Sequence, residues 1–261
     1  MKHLKLFLFS LLGSSYVRII VGYFRWLYYF KILKRLNTKE ISKNIIPNGL
    51  SHNLTVFDRF PLTDFTMKRT SWLFNSISSI EFLNDNSKFL TIGPRTESDI
   101  LILKSKFSKA QIEAIDIISY SPWIKLQDMH SIEFEDDFFD CVISTWVIPY
   151  SDNQKLAIKE MIRTLKNGGI FAIGFQHRDK IPPPGYFEDK QNDSRLANSS
   201  KNKHKDMNSV QDIEEILLDL NVNYETLTSI DAPLKGLKSN DKLKLTGLES
   251  SQVIYLARIT K

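Results

Sequence analysis

Residues 88–175 read as strand, helix, three strands, helix, strand, and few architectures accommodate that order. Lys88–Ile92 (KFLTI) is a short apolar run. Thr96 is placed to cap a helix running to Phe107, with Asp99 three residues on as the acidic half of a capping box. Residues 111–117 (QIEAIDI) alternate and end beside an acid, as a second strand does. A third short strand is expected over 123–126, and 138–144 (FFDCVIS) is a fourth. Ser151, with Gln154 three positions later, opens a helix whose Ile158, Met161, Ile162 and Leu165 share one face. Gly168-Gly169 closes that helix in the left-handed conformation helix ends favour, and 170–175 (IFAIGF) is a fifth, buried strand. Such an alternation dictates a mostly parallel sheet with helices on both faces, which binds ligands at the carboxyl ends of its strands.

Two further strands follow, at 224–230 and 251–259. They come after a helix started by Ser209 and Asp212, with Ile213, Ile216, Leu217 and Leu220 inward. The sheet is therefore expected to have seven strands. Residues 178–208 interrupt the rhythm with Pro182-Pro183-Pro184-Gly185 and a long polar run, the composition of a flexible insertion. Upstream, 71–82 (SWLFNSISSIEF) fits a short helix and 55–63 (TVFDRFPLT) a loop. The chain thus divides into an N-terminal segment over 1–35, an extension or cap over 36–87, and an α/β domain over 88–261.

Charge singles out the first segment. Residues 1–35 hold seven Lys or Arg and no Asp or Glu. Since the whole chain has 35 bases and 30 acids, the remainder carries 28 against 30, or −2. A nucleic-acid-binding body is not expected. A helix over 16–35 places Arg18, Gly22 and Arg25 on one narrow stripe, with Tyr, Phe, Trp, Ile and Leu elsewhere. Three readings remain open. The helix lies in a membrane interface, its bases on anionic lipid. It packs on the domain as a cap. Or it is part of a span or signal, although its longest uncharged run, 6–17, is shorter than the ~20 residues a bilayer core needs.

Cys141 is the only cysteine, so one chain forms no disulfide or cysteine-based metal cluster, which fits the cytoplasm. The five histidines fall in no metal-ligand spacing, and no metal site is expected.

The stretches FLTIGPRTESDI, IEAIDI, IKLQDMHSIEFEDDFFDCVIS and IKEMIRTLKNGGIFAIG, in that order, resemble the class I S-adenosylmethionine-dependent methyltransferases, and the methyltransferase type 11 group among them. The resemblance implies a Rossmann-like methyltransferase fold, S-adenosylmethionine as cofactor, and methyl transfer. It gives Gly93 the turn where a backbone approaches the cofactor. Asp116, 23 positions later, accepts from the ribose hydroxyls. Asp128 accepts from the adenine amino group, Met129 offers an amide and an apolar wall, and Trp146 lines the methyl-donor pocket. Singly, these acids also suit turns, and the tryptophan suits a core.

One motif departs from the family. A glycine-rich turn is replaced by Gly93-Pro94-Arg95-Thr96-Glu97, which removes an amide and adds bulk. Either Arg95 pairs with the cofactor's carboxylate, or the pocket no longer binds it. His130, Tyr150 and His177 follow strand ends and are candidate general bases. The basic, aromatic N-terminus suggests a small acceptor that is lipid- or glycan-linked, met by a cytoplasmic protein at the inner face of a membrane. A non-catalytic binding or scaffold protein on the same fold is the rival. A nicotinamide oxidoreductase would need the absent G-x-G-x-x-G.

Overall fold

The computed structural model describes residues 11–39, 56–66, 68–151, 153–178, 209–231 and 250–261. The expected insertion at 178–208 lies almost wholly outside the described residues.

Seven strands form one sheet. In chain order they are β2 (Lys88–Ile92), β3 (Gln111–Asp116), β5 (Lys125–Leu126), β6 (Phe139–Thr145), β7 (Leu165–Arg178), β8 (Asn223–Asp231) and β9 (Ser250–Thr260). Their spatial order is β5-β3-β2-β6-β7-β9-β8. β5, β3, β2, β6 and β7 pair in parallel, and β9 runs antiparallel to both its neighbours. This is the expected α/β, Rossmann-like arrangement. A separate two-stranded ladder joins β1 (Asn37–Thr38) to β4 (Ile118–Ser119).

The two-residue period of the strands builds two cores. Leu90 and Val142 point to one face, where they meet Ala157, Ile158 and Met161 of α5 (Gln154–Thr164) and Ile213 and Leu217 of α6 (Val210–Asp219). Phe89, Cys141 and Ile143 point to the other. They pack on Leu73, Phe74 and Ile77 of α3 (Lys68–Ser78) and Ile102 and Leu103 of α4 (Ser98–Lys106). Both faces being covered, the central strands read as continuous apolar runs.

Ser209 and Asp212 form the capping box at the start of α6. The other expected caps are corrected. Asp99 does not cap α4; its carboxylate accepts from the hydroxyls of Thr91 and Thr145. Ser151 does not cap α5, because its Oγ is taken by His130 and the Asn153 amide. Asn153 caps instead, its side chain accepting from the Leu156 amide at 3.1 Å. The glycines do not end α5 either. It stops at Thr164, Leu165 is already extended, and Gly168 (φ +76°) sits within β7. Of the loop expected at 55–63, residues 58–61 are irregular and α2 (Leu62–Thr66) takes up its end, and the third strand is the shorter β5.

Within the N-terminal segment, residues 15–32 are helical, as α1 (Ser15–Trp26) continued by a π-helical turn, Leu27–Ile32. Its orientation is unexpected. The Arg18–Gly22–Arg25 stripe faces the protein rather than lipid. Gly22 meets α2 so closely that an added Cβ would lie 2.3 Å from the Phe65 ring. Arg18 is buried and donates to the Leu12 and Gly13 carbonyls at 2.6 and 2.9 Å. Arg25 forks onto Glu97, which is fully buried, and lies 3.5 Å from the Trp123 ring centroid.

Candidate active site

At the carboxyl ends of β2, β3 and β6 lies a cleft of about 150 Å³. Its floor is the Gly93-Pro94-Arg95 turn. Gly93 adopts φ +69°, and a Cβ there would come within 2.5 Å of Val147. The lack of a side chain thus lets the segment after β6 close over the turn. Arg95 (φ +52°) and Trp146 (φ +55°) are also left-handed, a strained state for non-glycine residues that collects at functional sites.

Asp116 ends β3 at the cleft wall. Its Oδ2 accepts from the Arg95 amide at 2.9 Å and its Oδ1 from the Ile118 amide at 3.3 Å. The Ile117 amide also favours its ionised form, and a carboxylate offers about four acceptor positions, so not all are taken. Burial pushes this carboxyl up to about 6, against the pull of those amides.

Arg95 lines the cleft with part of its guanidinium already engaged. Its guanidinium is held by Asp64 of α2, Nε to Oδ2 at 3.0 Å and Nη2 to Oδ1. Asp64 came with no sequence signal, lying 31 residues away in a different element.

Met129 lines the cleft, as does Gln127. Asp128 between them is not on its wall. It accepts from the His130 amide at 2.9 Å and from His130 Nδ1 at 2.7 Å. Because an ionised carboxylate only accepts, Nδ1 donates to it, and Nε2 lies in hydrogen-bond contact with the Ser151 hydroxyl at 2.6 Å. His130 is therefore buried with both nitrogens engaged, and the structure does not bring it to the cleft. Tyr150 does line it. His177 lies in β7 opposite Ser251, and its side chain falls outside the described residues.

Trp146 lies on the cleft wall with its ring against Gly174 of β7, where a Cβ would approach to 2.7 Å. The Arg69 guanidinium sits 4.6 Å from the ring centroid. Sequence reasoning missed Asp99, which lines the cleft with its Oδ2 accepting from Thr145 at 2.8 Å and Thr91 at 3.3 Å. Burial pushes its carboxyl up to about 7. Among the described residues, no cluster of His, Cys, Asp and Glu is arranged to hold a metal.

Sheet order, glycine turn and strand-end acid together define a class I methyltransferase fold. Residues 99–173 match the family model for a methyltransferase domain. The chain is similar to a candidate sarcosine dimethylglycine methyltransferase from Galdieria sulphuraria, with 16% identity, a TM-score of 0.54, and 76% of this chain and 86% of that one covered. It is similar also to the [4+2]-cyclase SpnF, with 14% identity, a TM-score of 0.51, and 91% and 94% covered. At such identities the likeness is one of fold. "Uncharacterized protein MJ1123" from Methanocaldococcus jannaschii is 29% identical over 117 residues, 44% of this chain and 52% of that protein. The chain thus spans about half the length of this curated relative.

Proposed function

We propose that the protein transfers a methyl group from S-adenosylmethionine to a small acceptor. The observation that carries this reading is Asp116, a buried carboxylate with spare acceptor positions, closing β3 beside the Gly93 turn in one cleft. The lining sets Asp64, Asp99 and Asp116 beside Arg69 and Arg95, with Asp64 paired to Arg95, so Asp116 is the acid placed to receive a nucleoside's sugar. Asp116 would receive the ribose hydroxyls, and Met129 and Trp146 would supply apolar walls. The cofactor brings a methyl already activated on a sulfonium. The protein's task is then to align the acceptor and exclude water. Of the three candidate bases, Tyr150 is the one supported by its place on the cleft wall.

For the acceptor we favour a lipid- or glycan-linked molecule, met at the cytoplasmic face of a membrane. Its support is that α2 carries Asp64 into the cleft while its Phe65 packs on the aromatic helix α1. The −2 balance beyond Arg35 disfavours a nucleic-acid partner.

Isothermal titration with S-adenosylmethionine and S-adenosylhomocysteine tests the reading. Micromolar binding lost in Asp116→Ala supports it, and transfer of labelled methyl to one cell fraction would identify the acceptor class. A non-catalytic binding protein is the second reading, favoured by the commitment of Arg95 to Asp64. Absence of binding to either ligand would leave that reading standing.

A further inference from the structure

Helix α1 buries Arg18, Gly22 and Trp26 and packs Val17 and Val21 on the domain, yet it leaves a second apolar face outward. Arg18 and Gly22 face the protein, while Tyr16, Ile20 and Phe24, spaced i, i+4 and i+8 on the opposite side, are 77%, 56% and 62% exposed. The π-helical turn and the residue after it extend this surface with Tyr28, Ile32 and Leu33, all exposed. A helix that only capped the domain would bury these groups and solvate its arginines.

We propose that this face docks on an anionic lipid surface. Three observations favour lipid over a second copy of the chain. Residues 1–35 hold no acid, and with Arg18 and Arg25 discounted as internally engaged the segment still carries an excess of bases, so two copies would bring like charges together, whereas anionic headgroups complement them. Lys31 and Lys34 are exposed at the carboxyl end of the apolar stripe. Aromatic rings beside bases match the composition of helices lying in the headgroup region. No helix among the described residues is long and apolar enough to cross a membrane, so α1 would lie along the surface. With Arg18 and Arg25 spent on internal contacts, apolar contact rather than those arginines supplies the anchorage. This inference stands apart from the methyl-transfer reading and survives its failure.

Vesicle flotation of the full chain tests it, without cofactor. We expect the protein to float with phosphatidylcholine–phosphatidylglycerol vesicles and not with phosphatidylcholine alone. The combined variant Tyr16→Ser, Ile20→Ser, Phe24→Ser should lose about tenfold or more of that partitioning while melting cooperatively. Should that variant fail to fold, a nitroxide on Ile20→Cys reads the same contact: vesicles should raise its accessibility to oxygen. The proposal is overturned if the wild type stays unbound with both vesicle types, or if the folded triple variant floats equally well. It is also overturned if the nitroxide does not respond, or if the face instead joins two copies, seen as a dimer that the triple variant dissociates and that does not float.

Discussion

Arg95 and Asp64 grip one another with two parallel hydrogen bonds at the cleft, Nε meeting Oδ2 at 3.0 Å. The carboxylate is 8% exposed and the guanidinium 20%, so water screens neither well. Removing one partner leaves a buried charge uncompensated, at a cost of about 2–4 kcal/mol. Asp64→Ala and Arg95→Ala should each lose about that much in urea unfolding. The double variant should lose clearly less than their sum. Additive losses would show that the pair is not coupled.

Asp99 gives the protein a particular pH dependence. Its carboxyl is pushed up to about 7 by burial, whereas an unfolded aspartate titrates near 3.9. The folded state therefore holds the proton more tightly. The resulting stabilisation is complete below about pH 4 and is lost as pH rises through about 7, at roughly 1.4 kcal/mol per pH unit between. Asp116, raised to about 6, acts in the same direction. Melting temperature should fall between pH 5 and pH 8, and Asp99→Asn should flatten that fall. An Asn variant with an unchanged slope would refute the assignment.

Asp116 should impose the opposite trend on ligand binding. Only the ionised carboxylate accepts from both ribose hydroxyls. With its carboxyl near 6, affinity for S-adenosylhomocysteine should weaken below about pH 6, approaching tenfold per unit. Calorimetry from pH 7.5 to 5, where stability itself is rising by the Asp99 argument, separates binding from unfolding.

Gly22 offers a sign reversal. Gly22→Ala forces a methyl against the Phe65 ring, 2.3 Å away, and should destabilise by ~1–3 kcal/mol. In a Phe65→Ala background the obstruction is gone, and helix propensity should make the same change stabilising by ~1 kcal/mol. Denaturant midpoints of the four proteins settle it, and the same sign in both backgrounds would defeat the packing argument.

The sequence disclosed the central strands well, because runs such as Lys88–Ile92 and 170–175 must be apolar to sit between two layers of helices. It disclosed Gly93, Asp116, Met129, Trp146 and Tyr150 as neighbours in one cleft, since topology carries strand ends together. Side-chain commitments were hidden. Ser151 had the look of a cap, yet a histidine 21 residues away claimed its hydroxyl. Arg95 had the look of a ligand contact, but its partner lies on α2, which no periodicity announced. The amphipathic stripe of α1 was legible, though not which side would face inward. That was decided by Phe65 needing a glycine opposite it, and by Glu97 needing a cation.

Glu97 sits in the turn that opens α4, with no solvent contact, and Arg25 neutralises it from the far end of the chain's first described helix. An α/β unit excised from residue 88 onward would lose that cation and leave Glu97 with the Ser121 hydroxyl as its side-chain partner. The amino-terminal wrap is thus no detachable appendage. Any homologue lacking it should also have exchanged that glutamate for a neutral residue.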